Sequence, residues 1–149
     1  MKLIIMRHGE ASGSSASDFD RTLTATGRRE VATTASKLVE SIQIDRVIAS
    51  PYLRARQTGQ IVADEQGCSM TLLESLTPDG QPLTVIEQLP ASGVVLLASH
   101  MPIVGQLSGL LCDGSTRGGP GFSTAHALIL EMDFPAAGLA SIVGWVTPH

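Results

Sequence analysis

With 149 residues, 43% of them apolar and 16% charged, the chain fits one globular domain able to bury its own core. A net charge of −4 and an aromatic content of 3% exclude a general polyanion-binding surface and a base-stacking platform, so any positive charge that matters is local. Cys68 and Cys112 lie in no metal-ligand spacing and read as two buried free thiols of a reduced compartment.

The first apolar run, Leu3–Met6, has the composition of a buried strand and is too short for a leader or a membrane span. No later segment reaches span length, so a cytoplasmic protein is expected. Val31, Ala35, Leu38, Val39 and Ile42 recur at intervals of three and four, which predicts a helix over about 25–41 with Thr24 as its N-cap. Arg46–Ala49 reads as a second strand. Ser50 and Pro51 then read as cap and first residue of a helix running to about Glu65 and stopping before Gly67. A short strand near 69–73 and a helix over about 83–89 follow. Val94–Ala98 is a further strand, and Ile103, Leu107, Leu110 and Leu111 share one face of a helix after Pro102. The glycine-rich stretch 113–121 reads as a surface loop. The turn Pro135–Gly138 joins strands over 127–132 and 139–146 into an antiparallel hairpin. Strands alternating with helices predict one α/β domain over 1–149, a three-layer α/β/α arrangement with a mainly parallel sheet.

Three polar cassettes each follow a predicted parallel strand. LIIM is followed by Arg7-His8-Gly9-Glu10, RVIA by Ser50-Pro51-Tyr52-Leu53-Arg54, and VVLLA by Ser99-His100-Met101-Pro102. In open α/β sheets the carboxyl ends of the strands lie along one edge, where ligands bind. Arg7, His8, Arg54 and His100 are therefore candidates for a single cluster. Two arginines supply planar forks of donors that match phosphate oxygens. Two histidines add a nucleophile or base and a further donor. No histidine–carboxylate cluster has metal spacing, and the chemistry calls for no cofactor. The set suits phosphoryl transfer in which an imidazole attacks phosphorus while cations neutralise the equatorial oxygens. Those cations also disfavour protonation of the attacking ring. Gly9 after the nucleophile would let the backbone bend close to the phosphate.

The cassettes MRHGE, SPYLRARQT and ASHMP, in this order over nearly the whole chain, resemble the histidine phosphatase superfamily, also called phosphoglycerate mutase-like. The interval between Thr58 and Ser99 is only about forty residues, and with DRTLTATG at 20–27 and LTPDG at 76–80 it resembles the compact SixA-type phosphohistidine phosphatases. The resemblance implies that His8 is phosphorylated as nucleophile, that Arg7, Arg54 and His100 hold the phosphate, and that Arg21 adds a further arginine. A proton donor is expected by analogy with larger relatives. Glu74 is the nearest carboxylate by order, with Glu10 and Asp18 as alternatives. An imidazole leaving nitrogen can be protonated near neutrality, so a strong positioned acid is less necessary than for an alkoxide.

The implied function is metal-independent removal of phosphate from histidine on a signalling or phosphotransfer protein, such as a histidine phosphotransfer domain or a phosphocarrier, with no nucleic acid or membrane partner. A monomer is expected. A small-molecule phosphomonoesterase and a non-catalytic phosphoprotein-binding module remain alternatives. Arg56, His126 and Trp145 are expected to be structural, His149 to lie at a frayed terminus, and Arg28-Arg29 to be solvated or to dock an acidic partner.

Overall fold

The computed structural model describes residues 1–149. Its strands are β1 (Lys2–Arg7), β2 (Arg46–Ala49), β3 (Ser69–Leu72), β4 (Val94–Ser99), β5 (Ala127–Glu131) and β6 (Ser141–Val146). Its helices are α1 (Ala25–Ser41), α2 (Leu53–Gln66), α3 (Pro82–Gln88) and α4 (Ile103–Asp113). The strands form one six-stranded sheet in the order β3-β2-β4-β1-β5-β6. The first three pairings along that order are parallel and the last two antiparallel. The expected hairpin is therefore present, and its first strand also pairs with β1.

The central strands alternate between two cores, as period-two side-chain geometry requires. Leu3 and Ile5 of β1 join Val95 and Leu97 of β4 in a core closed by Val85 of α3 and by Ile103, Leu107 and Leu111 of α4. Ile4 and Met6 join Val47, Leu96 and Ala98 in a second core closed by Val31, Ala35 and Leu38 of α1 and by Val62 of α2. The architecture is thus the expected three layers, with α1 and α2 on one face and α3 and α4 on the other. No helix is long and apolar enough to cross a membrane.

Local signals set several boundaries. Thr24 caps α1 as expected, its side chain accepting from the Gly27 N–H at 2.9 Å. Gly67 ends α2 in the left-handed conformation that favours glycine. The start of α2 corrects the sequence reading, because the helix begins at Leu53 after a turn through Ser50-Pro51. Ser50 is fully buried, and its hydroxyl is engaged by the Tyr52 N–H at 3.3 Å and by His100 at 2.8 Å. A Ser-Pro pair looks alike in sequence whether its hydroxyl caps a helix or reaches a distant side chain. Cys68 and Cys112 are free thiols, half-buried rather than buried.

Candidate active site

Strand register builds the floor of the site. Arg7, the last residue of β1, lies opposite Ser99, the last of β4, and Ala49 of β2 lies opposite Ala98. The ladder continues one step past the strands, with the His8 N–H donating to the Ser99 carbonyl at 2.9 Å and the Ser50 N–H to that of Ala98 at 3.0 Å. His8, Ser50 and His100 therefore leave three neighbouring strands side by side. The two imidazoles meet edge to face with centroids 5.2 Å apart. Residues separated by more than ninety positions share one edge because parallel strands end on the same side.

His8 is almost wholly buried, and its Nδ1 lies 2.7 Å from the Gly9 carbonyl. A carbonyl only accepts, so the hydrogen-bond network assigns the ring proton to Nδ1 and leaves Nε2 unprotonated. Nε2 faces Arg54, whose Nε donates to it at 3.3 Å. Burial above all, with added repulsion from Arg54, Arg7 and Arg21, lowers the His8 pKa to about 4 against the pull of the Gly9 carbonyl. The ring is neutral at pH 7, in the tautomer a nucleophile needs.

The arginines converge on this ring. Arg54, on the first turn of α2, is buried. Arg7 is anchored by Nη1 donating to the Phe122 carbonyl at 2.8 Å, while its buried Nε has no partner within the protein. Burial first, and then the Arg54 charge, hold the Arg7 pKa below its ordinary value. Two like charges close enough to repel each other suit an anion placed beside both. His100 is buried too. Its Nε2 meets the Ser50 hydroxyl at 2.8 Å, and its Nδ1 is a buried ring nitrogen without a partner. The Ser50 hydroxyl accepts from Tyr52 and can either donate to Nε2 or accept from it; in the tautomer in which it donates, Nδ1–H is a spare donor. Burial chiefly, then His8 and Arg54, lower the His100 pKa to about 3. Two buried nitrogens without a partner, on Arg7 and His100, thus accompany a neutral nucleophilic ring. Such a cradle can bind a tetrahedral oxyanion and attack its central atom.

At the mouth stands Asp18, in the 3-10 turn Asp18–Asp20. Arg54 donates from Nη1 to the Asp18 carbonyl at 2.8 Å and from Nη2 to its carboxylate at 3.3 Å. Arg21 donates from Nη1 to the same carboxylate at 2.9 Å and from Nε to the Ser12 carbonyl at 2.7 Å. The hydrogen bond from Arg21, and after it the nearby Arg54 charge, hold the Asp18 carboxyl below the usual carboxylate range despite slight desolvation. Arg21 therefore reaches the cluster through Asp18.

Other sequence candidates lie elsewhere. Glu74 is exposed at the start of the 3-10 turn Glu74–Leu76 and makes no hydrogen bond or ion pair with the cluster. Order along the chain nominated it, but the carboxylate that touches the arginines is Asp18. Glu10 is exposed, with its carbonyl accepting from Thr24 at 3.0 Å. Gly9 has a packing role that the sequence does not show. Its N–H goes to the Thr58 hydroxyl at 3.1 Å, and a Cβ there would meet Val31 at 2.6 Å and the Gly27 carbonyl at 2.9 Å. Close packing on α1 by itself requires the glycine. Arg56 is structural as expected, donating to the Pro51 carbonyl at 2.9 Å. No group of three or more His, Cys, Asp or Glu side chains is gathered that could hold a metal ion.

Sequence reading passed over the tethers. Thr58 accepts from Gly9 and donates to the Arg54 carbonyl at 2.8 Å, joining the nucleophile's strand end to α2. The Gln57 side-chain oxygen accepts from the Leu23 N–H at 2.8 Å and fixes the segment after Arg21. Both stand in SPYLRARQT, but the pattern alone does not say which donors they meet.

A family model for the histidine phosphatase superfamily (branch 1) matches residues 3–77. The phosphohistidine phosphatase SixA of Escherichia coli K12 is 39% identical over 141 residues, which cover 89% of this chain and 86% of that protein. A SixA homolog of Haemophilus influenzae is 34% identical over 122 residues, covering 72% of this chain and 74% of that one. Among solved structures, the protein histidine phosphatase SixA complexed with tungstate matches with a TM-score of 0.87 and 34% identity, covering 99% of this chain and 97% of that chain.

Proposed function

The chain belongs to the histidine phosphatase superfamily, and from that premise we propose that residues 1–149 form one histidine phosphatase domain that hydrolyses phosphohistidine on other proteins without a metal ion. His8 Nε2 attacks phosphorus as the P–N bond to the substrate imidazole breaks, and the departing nitrogen takes up a proton. Water then attacks the phosphoryl group on His8, the P–Nε2 bond breaks, and inorganic phosphate leaves. Arg7, Arg54 and the spare Nδ1–H of His100 hold the phosphoryl oxygens in both steps, supplying in advance the positive field that the transition state needs. The substrate is a protein bearing phosphohistidine, in the manner of a histidine phosphotransfer domain or a phosphocarrier. Transfer between two imidazoles exchanges like bonds, so the first step is close to balanced. Opening the mouth breaks the contacts of the Asp18 carboxylate with Arg21 and Arg54 and the bond from Arg54 to the Asp18 carbonyl, on a turn whose side chains are partly or largely exposed.

The observation that carries this reading is the His8 tautomer. The Gly9 carbonyl holds the proton on Nδ1 while Nε2 faces the buried Arg54 guanidinium. Incubation with a protein carrying labelled phosphohistidine is expected to leave acid-labile label on the wild type and none on His8→Ala. Turnover by His8→Ala at the wild-type rate would refute the nucleophile. A higher kcat/KM on small phosphomonoesters than on the phosphoprotein would refute the substrate assignment.

A further inference from the structure

The chain has three Phe, one Tyr and one Trp, yet two of these scarce rings stand at the mouth of the site. Tyr52 lies 5.1 Å from His100, centroid to centroid, and Phe19 lies 5.0 Å from Tyr52. With the 5.2 Å contact between His8 and His100 they complete an unbroken file of four rings from the buried nucleophile to solvent. The outermost ring, Phe19, is 41% exposed on a turn whose other residues are acidic. The file is held at its base and its outer end. The Tyr52 N–H donates to Ser50, and the neighbouring Asp18 anchors the turn to Arg54 and Arg21. The Arg54 guanidinium also lies over the Tyr52 ring at 5.1 Å. The flank bearing Arg7, Arg21 and Arg54 is cationic and matches the phosphoryl group. The Phe19 and Tyr52 rings beside it match something flat.

We propose that Phe19 and Tyr52 form the surface against which the ring of the leaving group lies, which makes them specificity-determining residues for an imidazole leaving group over a ringless one. This rests on the phosphohistidine reading of the site. An imidazole in offset or edge contact gains from an aromatic partner already in the bound state, and more where its distal nitrogen carries a proton before the P–N bond breaks. A ringless leaving group gains nothing from the same surface.

Phosphoimidazole and phosphoramidate test this, because both present a P–N bond to be cleaved and only the first carries a ring. Phe19→Leu keeps an apolar side chain and removes the ring. It is expected to raise KM for phosphoimidazole by about three- to tenfold with kcat little changed, and to leave both constants for phosphoramidate within about twofold. Phe19→Tyr is expected to restore the wild-type preference. A loss of equal size on both substrates would mean that Phe19 only supports the turn, and no loss on either would mean that the ring meets no substrate. Both results overturn the inference. A wild type inactive on phosphoimidazole and on a phosphohistidine protein would refute the proposed function instead, so the two failures are distinguishable.

Discussion

His8 and Asp18 are ten residues apart and face the same guanidinium, yet they are held in opposite ways. His8 sits at the end of a central strand, with its backbone bonded to Ser99 and its ring to Gly9, and it is almost wholly buried. Asp18 sits on a short turn whose contacts with the site come mainly from the arginine side chains themselves, and its side chain is 57% exposed. The cradle is thus built by the sheet and the mouth by side chains. Preorganised buried donors dominate catalysis, because they act in a low dielectric and need no rearrangement during reaction. Exposed ion pairs are weak and screened, so the mouth can govern what enters without governing the chemical step.

Replacing a cradle group should therefore be far costlier than replacing a mouth group. The largest effect is expected for Arg54→Lys, which keeps the charge and loses the planar fork. kcat/KM should fall by roughly a hundredfold or more while the fold persists. A loss under tenfold would show that charge alone suffices and that the cradle is less ordered than its contacts imply.

Acid titration sharpens the contrast next. A proton-NMR titration of the His8 ring should give a midpoint near 4, well under the ordinary 6.5. Between those two pH values the unfolded chain takes up a proton that the folded ring refuses. Stability should accordingly decline as pH falls through this window, read as a falling urea midpoint. A His8 midpoint near 6.5 would mean that the cradle is wet and its preorganisation slight.

Ser50→Ala should follow, with roughly a tenfold drop in kcat from the loss of the hydroxyl that orients His100. An unchanged kcat would make that hydroxyl structural only. At the mouth, Asp18→Asn removes a negative charge beside Arg54 and Arg21. It should tighten competitive inhibition by inorganic phosphate about threefold at low salt, with the gain shrinking as salt rises. Glu74→Gln should leave kcat within about twofold. A tenfold fall there would restore Glu74 as the proton donor and erase the contrast between cradle and mouth.

The cradle was legible in the sequence because its residues directly follow strands whose apolar runs are unmistakable, and parallel strands must end together. The mouth was not. Glu74 was nominated by its order between two motifs, but the loops that carry carboxylates can turn either way, and it is Asp18 that meets the arginines. Ser50 reads as a helix cap because capping and tertiary bonding draw on the same small hydroxyl residues. Gly9 reads as making room for a phosphate, and only the packed structure shows that its missing side chain also makes room for Val31 and the Gly27 carbonyl.

The amino-acid order alone determined the layers, the parallel centre, the Thr24 cap and the set of four residues at the strand ends, since each depends on periodicity or on immediate neighbours. Tertiary structure alone decided which nitrogen of His8 is free, which hydroxyl holds His100 and which carboxylate meets Arg54. Those outcomes depend on the direction of side chains brought together from distant segments, and no local pattern encodes that direction.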